Sequence, residues 1–394
     1  MPAVAETPTL DTVRLRRAFP GLEGQCYLNA AGLGPCSLPA QTAFLHWNHL
    51  VANTGGDNPE DFPRLHMATQ TARGQVARFL GARTDEIAFF GNATDGADLV
   101  LHGLDWRAGD EVITSTEEHP ALTESLASVR ERFDLRVAHI PLHADPNALL
   151  DAVEGARTER TRLVAISWVG HRTGVRIDMA AVCRWAADHG ILSLTDSAQV
   201  AGHIAADLHA LGTDFSYGSG HKWCFGPLGT GWLYVRRDRL DGLKRSWTGA
   251  ESGLLSFGDD VEHARALGGA ARLEFGTRPW PLYIGFGAAV EFLSGIGMPA
   301  IDAHGCARSA QLADLLRGVP GLEAVSPGGS AATSILSCRL TRHDPKAVGE
   351  RLWREHRVAV RMLEDGLRFS LACFVTPEQV EHTGRAVQAV CGGR

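Results

Sequence analysis

Lysine is nearly absent from this chain of 394 residues: it occurs only at positions 222, 244 and 346, and arginine supplies almost all the other positive charge. No basic block interrupts the formal net charge of -7, so nucleic acid is not an expected partner. No apolar run reaches the roughly 18 to 20 residues of a membrane span, and residues 1–10 lack the basic-then-apolar layout of a signal peptide. A soluble, cytoplasmic protein without a membrane partner is expected. The eight cysteines form no CxxC pair and no ligand spacing with histidine, which predicts reduced thiols in place of a disulfide framework or a zinc site. His139 and His143 stand four apart, but in a strand-like segment that spacing does not align two side chains on a metal, and no metal is expected. A GxGxxG fingerprint is also missing, which argues against a dinucleotide cofactor and a nicotinamide dehydrogenase.

The length exceeds what one hydrophobic core usually organises, and predicts a large and a small domain. Their expected bounds are an N-terminal arm over 1–24, a large domain over 25–285 and a small C-terminal domain over 286–394. From about 86 to 235 the runs EIAFF, EVITS, RVAHIPL, RLVAISWV, ILSLTD and GWLYV alternate with helical patterns such as 120–132 and 179–189. That alternation predicts an α/β fold, a mainly parallel sheet with helices on both faces. Beyond 286 come two long helices, strands in EAVS, ILSCRL, VAVRM and LRFSLA, and a final helix. Its start, Thr376-Pro377-Glu378-Gln379, has the form of a capping box with proline at the first helical position. This is a smaller α+β unit.

Of the three lysines, 244 and 346 fall in polar helix-like settings, whereas Lys222 sits in Gly218-Ser219-Gly220-His221-Lys222-Trp223. A lysine desolvated there has a lowered pKa and supplies the neutral amine that attacks an aldehyde. A solvated turn lysine is the alternative. Asp196 closes the apolar run ILSLTD, 26 residues upstream. A carboxylate buried at a strand end is costly unless it meets a positive charge, and a protonated pyridine nitrogen is such a partner. An N-cap for the next helix is the other reading of this aspartate. Gly91-Asn92-Ala93-Thr94-Asp95-Gly96 follows a strand and opens a helix, so its N–H groups and the Thr94 hydroxyl can receive a phosphate, with Ser219 and His221 opposite. An aldehyde, a pyridinium and a phosphate together describe pyridoxal 5′-phosphate (PLP).

Tyr27-Leu28-Asn29-Ala30-Ala31-Gly32, GNATDGADLV, Glu118-His119-Pro120-Ala121, Thr195-Asp196-Ser197-Ala198-Gln199 and SGHKW with GPLGTGWLYV resemble, in order, the class V aminotransferase family. That family has the fold type I PLP architecture and includes cysteine desulfurases and isopenicillin N epimerase-like proteins. The resemblance implies that Lys222 holds PLP as a Schiff base and shuttles the α-proton. It implies Asp196 on the ring nitrogen, Gln199 near the ring hydroxyl and His119 stacked on the ring as a second catalytic residue. Ala93, Thr94, Ser219 and His221 would bind phosphate, with Thr277 reaching in from the second subunit of a homodimer. His171 replaces an asparagine of the desulfurases, and an imidazole can donate the same hydrogen bond to the cofactor. Asn29 and Arg368 would meet the amino-acid substrate, the guanidinium gripping its carboxylate. After Arg368 the chain reads Ser370-Leu371-Ala372-Cys373-Phe374-Val375, a departure from the family's usual Ser-x-x-x-Tyr-Asn.

A desulfurase needs a cysteine on the loop before that arginine, and 360–367 contains none. The expected reaction is therefore β-elimination by a C–S lyase on a cysteine-type amino acid or S-conjugated cysteine, as in ergothioneine or lincosamide-type specialised metabolism. A decarboxylating deaminase on such a conjugate, an amino-acid epimerase and an aminotransferase stand as alternatives. A PLP-binding protein without turnover is the alternative from outside enzymology, and the carboxylate-gripping arginine argues against it.

Overall fold

Residues 10–254 and 265–392 of the computed structural model are described, so the expected arm over 1–24 lies partly outside the described residues. Within them the strands, in chain order, are β1 (Cys26–Leu28), β2 (Ile87–Phe90), β3 (Glu111–Ser115), β4 (Arg136–Ile140), β5 (Thr161–Ser167) and β6 (Leu192–Asp196). There follow β7 (Phe215–Ser219), β8 (Gly231–Val235), β9 (Leu322–Ala324), β10 (Ile335–Leu340), β11 (Val358–Met362) and β12 (Gly366–Ser370). The larger sheet has the order β2-β8-β7-β6-β5-β3-β4, with only β8 antiparallel to its neighbours. The smaller sheet runs β1-β11-β12-β10-β9. This is the α/β architecture with a mainly parallel sheet that the apolar runs predicted, and it agrees with the fold type I architecture that the resemblance implies.

The period of two along each strand explains why the large sheet is covered on both sides. Ile87, Phe89, Val164, Ile166, Trp232 and Tyr234 belong to one buried cluster. Their alternates Ala88, Phe90, Leu163, Ala165, Leu233 and Val235 belong to another. Continuous apolar runs are what a sheet with two packed faces requires. The parallel strands β3, β5, β6 and β7 all end on one edge, which brings Ser115, Ser167, Asp196 and Ser219 to the same rim.

Two features depart from the sequence-based reading. β7 was not among the expected strands, because Gly218 and Ser219 look like turn residues. Gly218 is instead a close-approach glycine: a Cβ there would lie 2.7 Å from the Trp232 ring on β8. β1, placed by sequence in the large domain, pairs in parallel with β11 and so belongs to the smaller sheet. The capping box forms as expected, with Gln379 N–H donating to Thr376 Oγ1 (3.3 Å) and Thr376 N–H to Gln379 Oε1 (3.2 Å). Among the described residues no single helix is long and apolar enough to cross a membrane.

The segment Glu274–Thr277 is tied to the large sheet by a buried ion pair. Both Glu274 carboxylate oxygens meet the Arg73 guanidinium, and Oε1 also accepts Phe89 N–H at 2.7 Å. Removing one member of such a pair strands the other charge. Glu274→Ala should cost about 3 to 5 kcal/mol of unfolding free energy, measured by urea denaturation of the holoenzyme, and an unchanged midpoint would show that the pair contributes nothing.

Candidate active site

A cavity of about 550 Å³ opens at the rim of the parallel strands, between the two sheets. It is lined by every candidate site residue named above except Thr277. Lys222 and Asp196 face it from β7's C-terminal turn and the end of β6. The lysine turn is held from both sides. Gly34 N–H donates to His221 O (2.8 Å), and a Cβ on Gly34 would lie 1.9 Å from Lys222 O. Gly202, at φ +91°, presses on the Trp223 backbone, where a Cβ would lie 2.4 Å away. Only glycine allows that approach at that φ.

Burial drives the two charged groups toward neutrality. It lowers the Lys222 pKa, against the attraction of Asp196 and with added repulsion from Arg368. It raises the Asp196 pKa, against the Ala198 N–H bond to Oδ1 (2.8 Å) and the attraction of Lys222. Asp196 thus caps the following turn, as its N-cap reading expected, yet only one of its oxygens is occupied in this way. The Tyr217 hydroxyl also lies against the carboxylate and favours its ionised form, without reversing the effect of burial. This carboxylate calls for a cation presented from the cavity, and the Lys222 amine has no protein hydrogen-bond partner among the described residues.

The opposite end of the cavity is built from the helix Ala93–Gly103. Its N-cap Asn92 accepts Asp95 N–H (3.1 Å), which leaves the first N–H groups of the helix and the Thr94 side chain at the cavity. Gly96 lets this helix sit on β7, since a Cβ would lie 2.7 Å from Tyr217 Cβ. His221 donates Nδ1–H to Thr230 O (3.0 Å), and burial lowers its pKa, so Nε2 is the nitrogen left for a ligand. A helix N-terminus with hydroxyl and imidazole groups suits a phosphate.

His119 and His171 meet edge to face, ring centroids 5.2 Å apart. His119 Nδ1 accepts Ala121 N–H (3.1 Å) and burial lowers its pKa to about 4, so the ring is neutral with the proton on Nε2. His171 has the reverse arrangement: Nδ1–H donates to Glu117 O (2.9 Å), and burial takes its pKa down to about 3. Its Nε2 is therefore an acceptor, which corrects the expectation of a donating imidazole. Gln199 lines the cavity, but its amide is shared with the protein. Nε2 donates to Ala31 O (3.0 Å) and Oε1 accepts the Trp223 indole N–H (2.7 Å).

Arg368 is 4% exposed, donates Nη1–H to His171 O (2.6 Å) and leaves Nε without a partner. Burial, with repulsion from Arg361, lowers its pKa to about 10. Asn29 Oδ1 is likewise buried and unpartnered. Arg361, which the sequence did not single out, is directly opposite Arg368 in the β11–β12 register and also lines the cavity. Glu118 was missed as well. Its buried carboxyl accepts from Ser115 Oγ (2.5 Å), Ser167 Oγ (2.5 Å) and Ser167 N–H (2.9 Å), joining the ends of β3 and β5 directly before His119. Thr277 lies away from the cavity, beside two others of about 340 and 750 Å³.

A desolvated lysine, a buried aspartate at the cavity wall, an anion-binding helix end and a guanidinium with uncommitted nitrogens fit PLP and an amino acid. Fold and site together define a PLP-dependent enzyme of fold type I. The chain belongs to the class-V aminotransferase family, which it matches over residues 41–383. It is 31% identical to a probable cysteine desulfurase of Methanothermobacter thermautotrophicus, across 97% of this chain and 98% of the relative. It is 28% identical to the isopenicillin N epimerase of Amycolatopsis lactamdurans, across 92% and 94% of the two chains. Among solved structures, the cystine C–S lyase C-DES in complex with cysteine persulfide superposes with a TM-score of 0.87 at 25% identity, covering 94% of this chain and 99% of that one.

Two measurements test the electrostatics. Because its pKa is lowered, Lys222 should combine with added PLP at a rate that rises with pH and levels off well below 10.5, the ordinary lysine value, in stopped-flow absorbance of the apoenzyme. A plateau only above 10.5 would contradict a desolvated amine. Burial raises the Glu118 pKa from 4.5 to about 7, so between those values the folded protein keeps a proton that the unfolded chain releases. Stability should therefore fall as pH rises through that window, by up to about 3 kcal/mol. Glu118→Gln should flatten that slope in denaturation curves taken at several pH values.

Proposed function

We propose that this enzyme is a C–S lyase that carries out β-elimination on a cysteine-type amino acid, an S-conjugated cysteine of specialised metabolism. The observation that carries the proposal is the thiol inventory of the site. Among the described residues, no cysteine lines the cavity, and the connection from β11 to β12 is Leu363-Glu364-Asp365. Cys224, two residues from Lys222, is fully buried with its S–H directed to Ala201 O (3.2 Å), and burial raises its pKa. Cys373 is also buried, its pKa pushed up to about 12. A persulfide relay needs an exposed thiolate, and neither group supplies one.

When bound, PLP supplies an aldehyde for the substrate amine and an electron sink for the α-carbon. In our assignment Lys222 anchors the cofactor and then moves the α-proton, which elimination requires of a single base. Asp196 holds a proton at the ring nitrogen, His119 stacks on the ring, and Gln199 stands beside the ring hydroxyl. Ala93, Thr94, Ser219 and His221 hold the phosphate. Arg368 grips the α-carboxylate with the nitrogens that face the cavity, and Asn29 completes that end. Arg361, opposite Arg368 on the antiparallel strand β11, suits a conjugate with a second anionic group. His171 offers its lone pair to a proton on the cofactor or substrate. Thr277, remote from the cavity of its own chain, belongs in this reading to the site of the partner in a homodimer.

Mass spectrometry of products from candidate S-conjugated cysteines, with and without oxygen, tests the reaction. Thiol and pyruvate are expected. An aldehyde with loss of carbon dioxide would make the enzyme a decarboxylating deaminase, and unchanged mass with inverted configuration would make it an epimerase; either outcome rules out the lyase. Lys222→Ala should abolish turnover, and Arg368→Ala should raise KM by about tenfold to a hundredfold, the loss of charged hydrogen bonds of about 1.5 to 3 kcal/mol.

A further inference from the structure

Lys222 and Arg368 come from different sheets, so their separation depends on how the smaller sheet is seated against the larger one. Beside the direct bond from Arg368 to His171 O, part of that seating is a buried chain of contacts that starts next to Lys222. Trp223, next to Lys222, donates its indole N–H to Gln199 Oε1 (2.7 Å) and stacks on His203 with ring centroids 4.3 Å apart. Gln199 donates to Ala31 O (3.0 Å), and Ala31 N–H donates to Ser370 Oγ (3.1 Å), two residues beyond Arg368 on β12.

His203 closes the chain a second way. Its Nδ1 lies 2.8 Å from Gln199 O. A carbonyl only accepts, so Nδ1 carries the proton and Nε2 the lone pair. That lone pair accepts Ser334 N–H at 3.2 Å, from the residue preceding β10. Ser334 O in turn accepts Leu371 N–H at 2.7 Å, just after β12. Burial keeps the imidazole neutral, with a pKa of about 4, in agreement with this tautomer. One ring therefore donates to the large domain, accepts from the small one and stacks on the residue beside Lys222.

We propose that His203 is a positioning residue that sets the distance between the Lys222 turn and the Arg368 strand, and with it the grip on the substrate carboxylate. The proposal rests on Lys222 and Arg368 being the cofactor and carboxylate ends of the site. Phenylalanine could keep the stacking but neither hydrogen bond, and glutamine could keep the acceptor for Ser334 N–H. A site of this kind tolerates about 0.5 Å of misplacement, so loosening the seating should weaken carboxylate recognition while leaving cofactor binding intact.

The test is a spectrophotometric titration of the holoenzyme with glycine and, separately, with methylamine, which has the amine but no carboxylate. Relative to wild type, His203→Phe should bind glycine about tenfold more weakly, the effect of losing one well-formed charged hydrogen bond, with methylamine affinity and PLP content unchanged. His203→Gln should fall between the two. Ser370→Ala, which cuts the other strap, should repeat the pattern and keeps the test open if His203→Phe does not fold. Unchanged glycine affinity in the variants that fold, or equal weakening of both amines, would overturn the proposal. A wild-type spectrum that ignores both amines would overturn the cofactor-site assignment itself and this proposal with it.

Discussion

A carboxylate and an amine, both stripped of water in one cavity, set the terms for the rest of the molecule. Asp196 and Lys222 attract each other, but burial opposes the charge on each, and neither supplies the other with a full complement of hydrogen bonds. In water such groups would be solvated separately. Here the protein holds them at low dielectric, where an aromatic cation beside the aspartate and an aldehyde beside the lysine would relieve both at once. Cofactor binding is in this sense written into the electrostatics of the apoprotein.

The scaffold meets that demand by converging strand ends. Ser115, Ser167, Asp196 and Ser219 share one rim because β3, β5, β6 and β7 run in parallel, and helix starts rise from the same rim. Polar atoms that would be unsatisfied in a closed core are thus gathered where a ligand can meet them. The glycines around the site serve the same end. Gly34 and Gly202 bring neighbouring backbone onto the lysine turn, and Gly96 seats the anion-binding helix on β7. Glu118 adds a proton-dependent brace between two of those strands, beside the histidine that faces the cavity.

The arginine end follows a different logic. Arg368 stands on an antiparallel strand of the smaller sheet, with Arg361 opposite it and only one of its nitrogens committed to a backbone carbonyl. Two guanidinium groups at one mouth make this side of the cavity selective for anions. The thiols, by contrast, are withdrawn into the core or protonated. Under the proposed function, the groups around the larger sheet would handle the cofactor and those on the smaller sheet would select the substrate.

Much of this was legible in the sequence. Two-sided burial leaves unbroken apolar runs, so β2, β3, β5, β6 and β8 could be read directly. Thr376 and Gln379 announce a helix start because capping is local chemistry, and the scarcity of lysine isolated Lys222. What a linear reading missed depends on contacts distant along the chain. Gly218 and Ser219 read as a turn until Trp232 is seen to occupy the space a side chain would need. β1 changes allegiance because its partner, β11, lies more than three hundred residues away. The proton positions on His119, His171 and His203 follow from which backbone groups they meet, and the burial of Glu118 from which strands enclose it. Local pattern determined the elements and the reactive residue types. Only tertiary packing decided their charge, their tautomers and the distance between the two ends of the site, because each of these is set by desolvation and by neighbours that sequence order does not bring together.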